Sequence, residues 1–310
     1  MKVFIAGIFI FLYVLPASAQ FSYNDVEVLY DSAWTYKNLQ LIPIRFKAGR
    51  GRNTIGPMVS LSEAVGRKKA SIKEIGGNTQ PDKGYVSITN KLKENILVHS
   101  GELIKGGKQD RAMAATRIIP GKSKKEILDV YCIEKMRWQN NPKKFYHSGS
   151  GDIELRKVMD TKKSQIGVWK EIDRQFQENA QESETWSYLE LPVDSTRNNA
   201  DYTAYFKQKM AESGAGSAGF LFITGNKIIS VELFASADIT RAIFDSMLAT
   251  YIRSMKKNTD PPVAGRGRQK TFLDNVLTTR ETQVKLISQQ GNTYKHLGKT
   301  IHIIVYGSGF

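Results

Sequence analysis

The chain has 310 residues, with 45 Lys and Arg against 30 Asp and Glu, so its formal net charge at pH 7 is +15. This length is enough for a large buried core, in one domain or in two packed lobes. A single cysteine, Cys132, excludes an internal disulfide.

The first 19 residues have the pattern of a signal peptide. Lys2 supplies a positive charge, an apolar run follows from 3 to 15, and Ala17-Ser18-Ala19 offers small residues to a signal peptidase. The apolar run is too short for a membrane-spanning helix, which takes about 20 residues, and no later segment approaches that length. We expect cleavage between Ala19 and Gln20 and export to the periplasm or the medium, with an uncleaved anchor as the alternative.

Residues 20–138 are predicted to form a β-rich lobe of sandwich or barrel-like form. Short alternating apolar runs are separated by turns rich in glycine and proline, which is typical of many short strands. A turn of helix is predicted at 60–66, capped by Ser60 or Ser62. The predicted strands are 26–30, 39–46, 70–75, 85–90, 95–99, 112–119 and 126–134.

The rest of the chain is predicted to mix helices and strands. Residues 139–163, rich in Asn, Gly, Ser and Lys at their start, are predicted to be a polar loop. Residues 164–310 are predicted to form an α+β lobe in which a two-residue turn at Gly225-Asn226 joins two strands. About three helices are expected, at 164–179, 200–213 and 238–256, and further strands at 283–288, 293–297 and 300–306. The fold class is therefore α+β, and 20–310 as one continuous domain is the alternative to two lobes.

The segment from 98 to 138 concentrates residues that are capable of chemistry. They form two groups on what we predict to be adjacent strands. A mixture of carboxylates, glycines, an amide and guanidinium groups beside apolar strands indicates a pocket. The residues of both groups, apart from Cys132, are therefore our candidate site residues. The first group is Glu102, Gly106, Gly107, Lys108, Gln109 and Arg111, and the second is Cys132, Glu134, Arg137 and Trp138.

The runs GELIKGGKQDR and CIEKMRW resemble the ARG- and rhodanese-phosphatase-superfamily-associated protein domain, a bacterial family first described as a domain of unknown function. The segments LIPIRF, MVSLSEAV, VWKEI and GFLFITGNKIISVELF fit the same family, so the resemblance covers most of the chain. The chain departs from the family at Leu103, Asp110 and Met136, where Glu, Asn and Gly are common. The family's name implies an association with ADP-ribosyl-glycohydrolase and phosphatase systems, and hence NAD-derived or phosphorylated ligands.

The glycine pair and its basic neighbours suggest an anion site. Gly106-Gly107 lets a backbone approach a ligand closely, and Lys108 and Arg111 beside it could hold a phosphate or a carboxylate. The alternative is that the glycines form a β-bulge or turn between strands. Neither a phosphate-binding P-loop nor a dinucleotide-binding glycine fingerprint occurs in the sequence.

Glu102 and Glu134 are the candidate acid and base, provided that their strands bring both carboxylates to one cavity. The alternative is that each carboxylate pairs with Arg111 or Arg137 and fixes the strands. Cys132 is predicted to be a small core residue, because a nucleophilic cysteine needs a neighbouring histidine that the sequence does not place.

No zinc-binding or serine-hydrolase motif occurs, so no metal and no cofactor are predicted, and His302 is interpreted as a strand residue. The basic residues are dispersed, which favours a solvated surface without a nucleic-acid motif, and an anionic small molecule is the possible partner. The sequence favours an exported, non-catalytic module that binds a phosphorylated, nucleotide-like or acidic ligand. A hydrolase that uses Glu102 and Glu134, and a structural or interaction protein without a small-molecule site, are the alternatives; the oligomeric state stays open.

Overall fold

The computed structural model describes residues 21–51, 55–75, 84–137, 143–192, 199–255 and 260–308. The predicted leader and Trp138 lie outside these residues. Within them the protein has an α+β fold, as predicted, with seven α-helices rather than about three. No helix in this part of the chain is long and apolar enough to cross a membrane.

The strands are β1 (Val26–Val28), β2 (Trp34–Tyr36), β3 (Leu39–Phe46), β4 (Met58–Ser60), β5 (Ala70–Glu74), β6 (Gly84–Asn90), β7 (Asn95–Val98), β8 (Glu102–Gly107), β9 (Arg111–Met113), β10 (Arg117–Ile119), β11 (Glu126–Cys132), β12 (Lys143–Ser150), β13 (Ser217–Thr224), β14 (Lys227–Phe234), β15 (Gly291–His296) and β16 (Lys299–Tyr306). The helices are α1 (Leu61–Gly66), α2 (Ile153–Thr161), α3 (Gln165–Glu178), α4 (Asn199–Ser213), α5 (Ala237–Ser254), α6 (Arg266–Leu277) and α7 (Arg280–Gln290).

The first half of the chain is organised around an antiparallel sheet in the order β12-β8-β9-β11-β6-β5. The outermost strands β12 and β5 contact each other, so the sheet is nearly closed into a barrel. Alternate residues such as Val86, Ile88 and Val130 fill its interior, while Tyr131 and Ile133 point outward and pack against α2 and α3. A smaller sheet, β10-β7-β4, lies beside α1.

A larger sheet joins the two ends of the chain. Its order is β1-β3-β13-β14-β16-β15, with β2 paired to β3. Alternation along the strands gives it two apolar faces: α4 and α5 belong to the cluster that covers one face, and α6 and α7 to the cluster that covers the other. Because β3 lies between β1 and β13, this sheet combines strands from both sides of residue 138.

Most predicted elements are confirmed. Strands β1, β3, β5, β6, β7, β11, β15 and β16, the β13–β14 hairpin and the helices α3, α4 and α5 lie at or within two residues of their predicted positions. Helix α1 is capped as expected, because the Ser60 hydroxyl accepts the backbone N–H of Glu63. The predicted strand 112–119 is two short strands, β9 and β10, which belong to different sheets.

Two predictions about secondary structure are wrong. The predicted polar loop 139–163 contains β12 and α2, and α2 escaped detection because its buried face carries Arg156 and Asp160 rather than apolar residues alone. The predicted strand 283–288 lies inside α7, whose N-cap is Thr279. A short run such as QVKLIS fits both the helical and the strand period, so periodicity alone could not decide it.

Candidate functional site

The glycine pair of the first motif lies where β8 turns toward β9. Gly106 and Gly107 have φ angles of +121° and +57°, which residues with side chains rarely adopt. A Cβ on Gly106 would lie 2.6 Å from the carbonyl oxygen of Lys144, and one on Gly107 would lie 2.2 Å from the ring of Phe145. The register of β12 against β8 shifts beside this point. The packing of β12 therefore requires both glycines, as the bulge interpretation expects.

Arg137 ties this turn to the second motif. Its guanidinium donates to Glu134 (Nε to Oε1, 2.7 Å) and to Asp110 (Nη2 to Oδ1, 2.9 Å). It also reaches the carbonyl oxygens of Gly107 and Gly106, at 3.2 and 3.4 Å. Both carboxylates are buried, and burial raises the pKa of Asp110 although the N–H of Gly106 and the charge of Arg137 oppose that shift. Arg137 is thus the cation that holds two buried acids.

Arg111 is buried beside Cys132, its register partner on β11. Its guanidinium contacts the thiol, donates to Oε1 of Gln109 at 3.3 Å and lies 3.5 Å from Glu74. Burial raises the pKa of the half-buried Cys132 thiol, and the charge of Arg111 only partly opposes this. The thiol therefore stays protonated at neutral pH, which is unlike an activated nucleophile.

Glu102 lies at the opposite end of β8 from the glycine pair. One carboxylate oxygen accepts the backbone N–H of His99 at 2.7 Å, and the other lies 3.1 Å from Nε2 of His147. Glu134 is held with Arg137 near the far end of this strand, about 15 Å away at ~3.3 Å per residue. The two candidate catalytic carboxylates are therefore not brought to one cavity.

The remaining candidates belong to the same compact network. Gln109 donates to the carbonyl oxygen of Glu134 at 2.7 Å, and the backbone N–H of Lys108 donates to Glu74 at 2.9 Å. An open groove of about 710 Å³ between β4 and α5 is lined by none of the candidate residues. The structure brings together Gly106, Gly107, Lys108, Gln109, Arg111, Glu134 and Arg137, and it leaves Glu102 apart.

A second polar cluster lies inside the protein, between the turn after β7 and the larger sheet. At its centre is Glu232 of β14, which is fully buried. Arg156 of α2 donates to both its oxygens, at 2.8 and 2.9 Å, and Tyr251 donates to Oε1 at 2.6 Å. His302 and His99 direct their Nε2 atoms at Oε2, at 2.9 and 3.4 Å. Every polar group here is enclosed by protein.

Asp160, one turn further along α2, completes this cluster. It lies 3.8 Å from Nε of Arg156 and accepts hydrogen bonds from Tyr294, from Tyr306 at 2.6 Å and from Ser100 at 3.1 Å. The two oxygens of a carboxylate offer about four acceptor sites, which is enough for these three hydroxyl donors. The cluster thus holds two carboxylates around one guanidinium.

Electrostatics fixes the charge states of the three central groups. Burial alone would raise the pKa of Glu232, but Arg156 and the two imidazoles outweigh it and hold that pKa well below its usual range. Burial lowers the pKa of His302, and burial together with Arg156 lowers that of His99 to about 3. Neutral imidazoles therefore face an ionised carboxylate.

The sequence carried a weak signal for this cluster. Glu232 and His302 stand in otherwise apolar strands, ISVELF and TIHIIVY, at positions that point to the same face as Phe234. A charged residue on the inward face of an apolar strand needs a buried partner. The sequence did not identify the partner of Glu232, because Arg156 lies in the segment that was predicted to be a loop.

A third feature is a basic surface at one end of the barrel. Three turns meet there, before β5, after β6 and before β11. The backbone N–H of Lys91 donates to the carbonyl oxygen of Lys69 at 2.8 Å, and that of Asn90 to the carbonyl oxygen of Ser123 at 3.0 Å. The surface, which we call the lysine face, consists of the exposed residues Lys68, Lys69, Lys91, Lys93, Lys122, Lys124 and Lys125.

The lysine face is held in a fixed shape. The amide of buried Asn90 donates to the carbonyl oxygens of Glu94 and Pro120, at 2.9 and 3.0 Å. Gly121 approaches the carbonyl oxygen of Lys93 so closely that a Cβ would lie 2.0 Å from it. Among the described residues none of the seven lysines forms an ion pair, and Glu94 and Glu126 are the acids within these turns. Lysines that are dispersed in sequence are therefore concentrated in space.

The family model of the ARG and Rhodanese-Phosphatase-superfamily-associated Protein domain matches residues 27–303. Because this span is most of the chain, the chain belongs to that family, and the resemblance of its two motifs is confirmed. The matched span contains both motifs, the lysine face and the buried cluster as far as His302. No curated protein and no solved structure matches the chain.

Proposed function

We propose that the chain is an exported, non-catalytic binding module whose lysine face holds an extended acidic polymer, such as a polysaccharide with carboxylates or a polyphosphate. The observation that carries the proposal is the set of seven exposed lysines on three adjacent turns. Export rests on the signal-peptide pattern of residues 1–19.

The extent of the lysine face favours a polymer over a small ligand. Its turns belong to the three neighbouring strands β5, β6 and β11. Adjacent strands lie about 4.8 Å apart, so the backbones of the two outer turns are ~10 Å apart. One phosphate, with a charge of about −2 at pH 7, cannot pair with all seven lysines. A chain of anionic groups can, and the rigid turns reduce the conformational entropy that binding would cost.

The side chains also limit the kind of polymer. Lysine offers a point charge without the fixed geometry of arginine, which suits repeated phosphates or carboxylates rather than one oriented group. The turns 66–69, 91–95 and 120–126 contain no aromatic residue on which a base could stack. Nucleic acid would therefore bind through its phosphates alone.

The motif residues support the two alternatives less well. Arg111 is paired with Glu74, and Arg137 with Glu134 and Asp110, which favours a scaffold role over an anion pocket. A hydrolase that uses Glu102 and Glu134 as a pair would need the two carboxylates roughly 5–9 Å apart, and the length of β8 keeps them about 15 Å apart.

Binding measurements on charge-matched variants test the proposal. The first variant replaces Lys69, Lys93 and Lys124, one from each turn, by Gln. The control replaces the exposed Lys227, Lys285 and Lys299 by Gln, so that both proteins lose the same charge. Calorimetry would use polyphosphate and polygalacturonate, with duplex DNA and vesicles of anionic lipid as competitors.

The expected loss is confined to the first variant. Lysines near an anionic surface contribute ~1 kcal/mol each, so three substitutions should weaken polyphosphate binding by about 100-fold. Equal weakening in both variants would mean that net charge alone attracts the polymer. Stronger binding to vesicles or DNA, or no binding to either polymer, would also contradict the proposal.

A further inference from the structure

His99, Glu232 and His302 form a group that the proposed function does not use. Nε2 of His302 and Nε2 of His99 lie 2.9 and 3.4 Å from the same carboxylate oxygen, and all three ligand atoms lie within 4.8 Å of one another. We propose that these residues bind one divalent transition-metal ion. At metal–ligand distances of ~2.0–2.1 Å, neighbouring ligand atoms stand roughly 3 Å apart, which is close to the distances of both imidazoles from Glu232.

The hydrogen bonding of His302 suits a metal ligand. A histidine binds metal through the lone pair of a neutral ring, so the hydrogen bond made by its other nitrogen decides which atom faces the ion. Nδ1 of His302 lies 2.9 Å from the hydroxyl of Thr116. When that nitrogen carries the proton, Nε2 presents its lone pair to the ion, which is the usual outer-shell arrangement of a metal-bound histidine.

The charge of the surroundings also calls for a cation. Glu232 and Asp160 share the single guanidinium of Arg156, and the nearby carboxylate of Glu102 accepts the backbone N–H of His99. Three carboxylates therefore surround one guanidinium here, with His147 as a further basic group beside Glu102. Buried charges are normally paired or bound to metal, and a bound cation would offset this excess of carboxylates.

The contacts of Arg156 do not use all the acceptor capacity of Glu232. It donates to Glu232 from one side, through Nη1 to Oε1 and Nη2 to Oε2, while Tyr251 also binds Oε1. A carboxylate oxygen can accept more than one bond, and the side of Oε2 that faces the imidazoles is the side that the ion would take. Arg156 is therefore a positioning residue, and its own charge is balanced by Asp160 at 3.8 Å.

The ligand set indicates the class of metal. Two imidazole nitrogens and one carboxylate oxygen suit Zn²⁺, Co²⁺, Ni²⁺ or Fe²⁺, whereas Ca²⁺ and Mg²⁺ prefer all-oxygen sites. The ligands come from the turn after β7 and from β14 and β16, which belong to two different sheets. The ion would fasten these sheets together, and because the site is fully buried it would enter during folding.

Metal analysis of the folded protein tests this inference. The full chain is produced in medium supplemented with Zn²⁺ or Co²⁺, desalted without unfolding, and its metal content is measured by mass spectrometry. His302→Gln and His99→Gln remove one ligand each. His296→Gln, at a half-buried position on β15 outside the cluster, is the matched control.

Wild type and His296→Gln should each retain close to one equivalent of metal, and both ligand variants should lose it. The cobalt form should show the visible absorption of a nitrogen-ligated, low-coordinate ion, a signature that still decides the matter if the ligand variants do not fold. Metal-free wild-type protein, or ligand variants that keep their metal, would overturn the inference. Either result leaves polymer binding by the lysine face unaffected.

Discussion

Replacing Arg137 by Ala should destabilise the protein strongly without any effect on a ligand. The substitution leaves the buried carboxylates of Asp110 and Glu134 without their shared cation. Removing one partner of a buried ion pair costs about 3–5 kcal/mol. The Arg137 side chain is still 22% exposed, which points to the lower end, about 3 kcal/mol. At about 2–4 °C per kcal/mol, the melting temperature should fall by roughly 6–12 °C.

The effect should also depend on pH in a defined direction. Burial already raises the pKa of Asp110, and without Arg137 this acid should take up a proton at a still higher pH. A folded-state pKa above the unfolded value means that the folded form binds the proton more tightly. The gap between variant and wild type should therefore shrink as the pH falls from 7 through the pKa of Asp110.

Thermal and urea unfolding, followed by circular dichroism between pH 4 and 8, would measure both effects. Arg45→Ala is the matched control: Arg45 pairs with Glu27 at 2.7 Å, but the side chains are 47% and 42% exposed. Its cost should stay below about 1 kcal/mol. The reasoning is refuted if Arg137→Ala costs no more than the control. It is also refuted if nucleotides or sugar phosphates stabilise wild type and this variant abolishes only that stabilisation.

Three further predictions concern other parts of the chain. Native Cys132 should react slowly with iodoacetamide at pH 8 and faster as the pH rises toward its raised pKa, and rapid labelling at pH 7 would indicate an activated thiol. Gly107→Ala should lower the free energy of unfolding in urea by about 2–4 kcal/mol, because the new Cβ would clash with Phe145. Gly298→Ala, where φ is +78° and the space is open, should lower it by about 1 kcal/mol. Equal costs would contradict the packing argument. Mass spectrometry of protein exported by its native cell should find Gln20 at the N-terminus, and an intact Met1 on a membrane-bound form would contradict export.

The sequence predicted the fold class and most strands because the barrel and the larger sheet obey period-two alternation. It failed where charged residues point inward. Helix α2 looks polar because Arg156 and Asp160 occupy its buried face, and only their partners on β14 and β15 explain why they are there. Those partners lie more than 70 residues away, as in the contact between Arg156 and Glu232.

The candidate site was also predicted only in part from the sequence. The sequence identified Arg111, Glu134 and Arg137 as chemically exceptional, and the structure brings them together. The local sequence pattern could not show whether these charged groups pair with one another or bind a ligand, because that depends on whether they are buried. It also described the lysines as dispersed, because segments 68–69, 91–93 and 122–125 become neighbours only when β5, β6 and β11 pair.

The salt dependence of polyphosphate binding tests most directly the claim that the lysine face is the functional surface. Calorimetry at several NaCl concentrations gives the slope of log K against log salt, and by analogy with single-stranded nucleic acid seven lysine contacts should give about −5. Replacing Lys69, Lys93 and Lys124 by Gln should make this slope less negative by about 2. Replacing Lys227, Lys285 and Lys299 by Gln should leave the slope unchanged. A slope near zero, or equal flattening in both variants, would contradict the account.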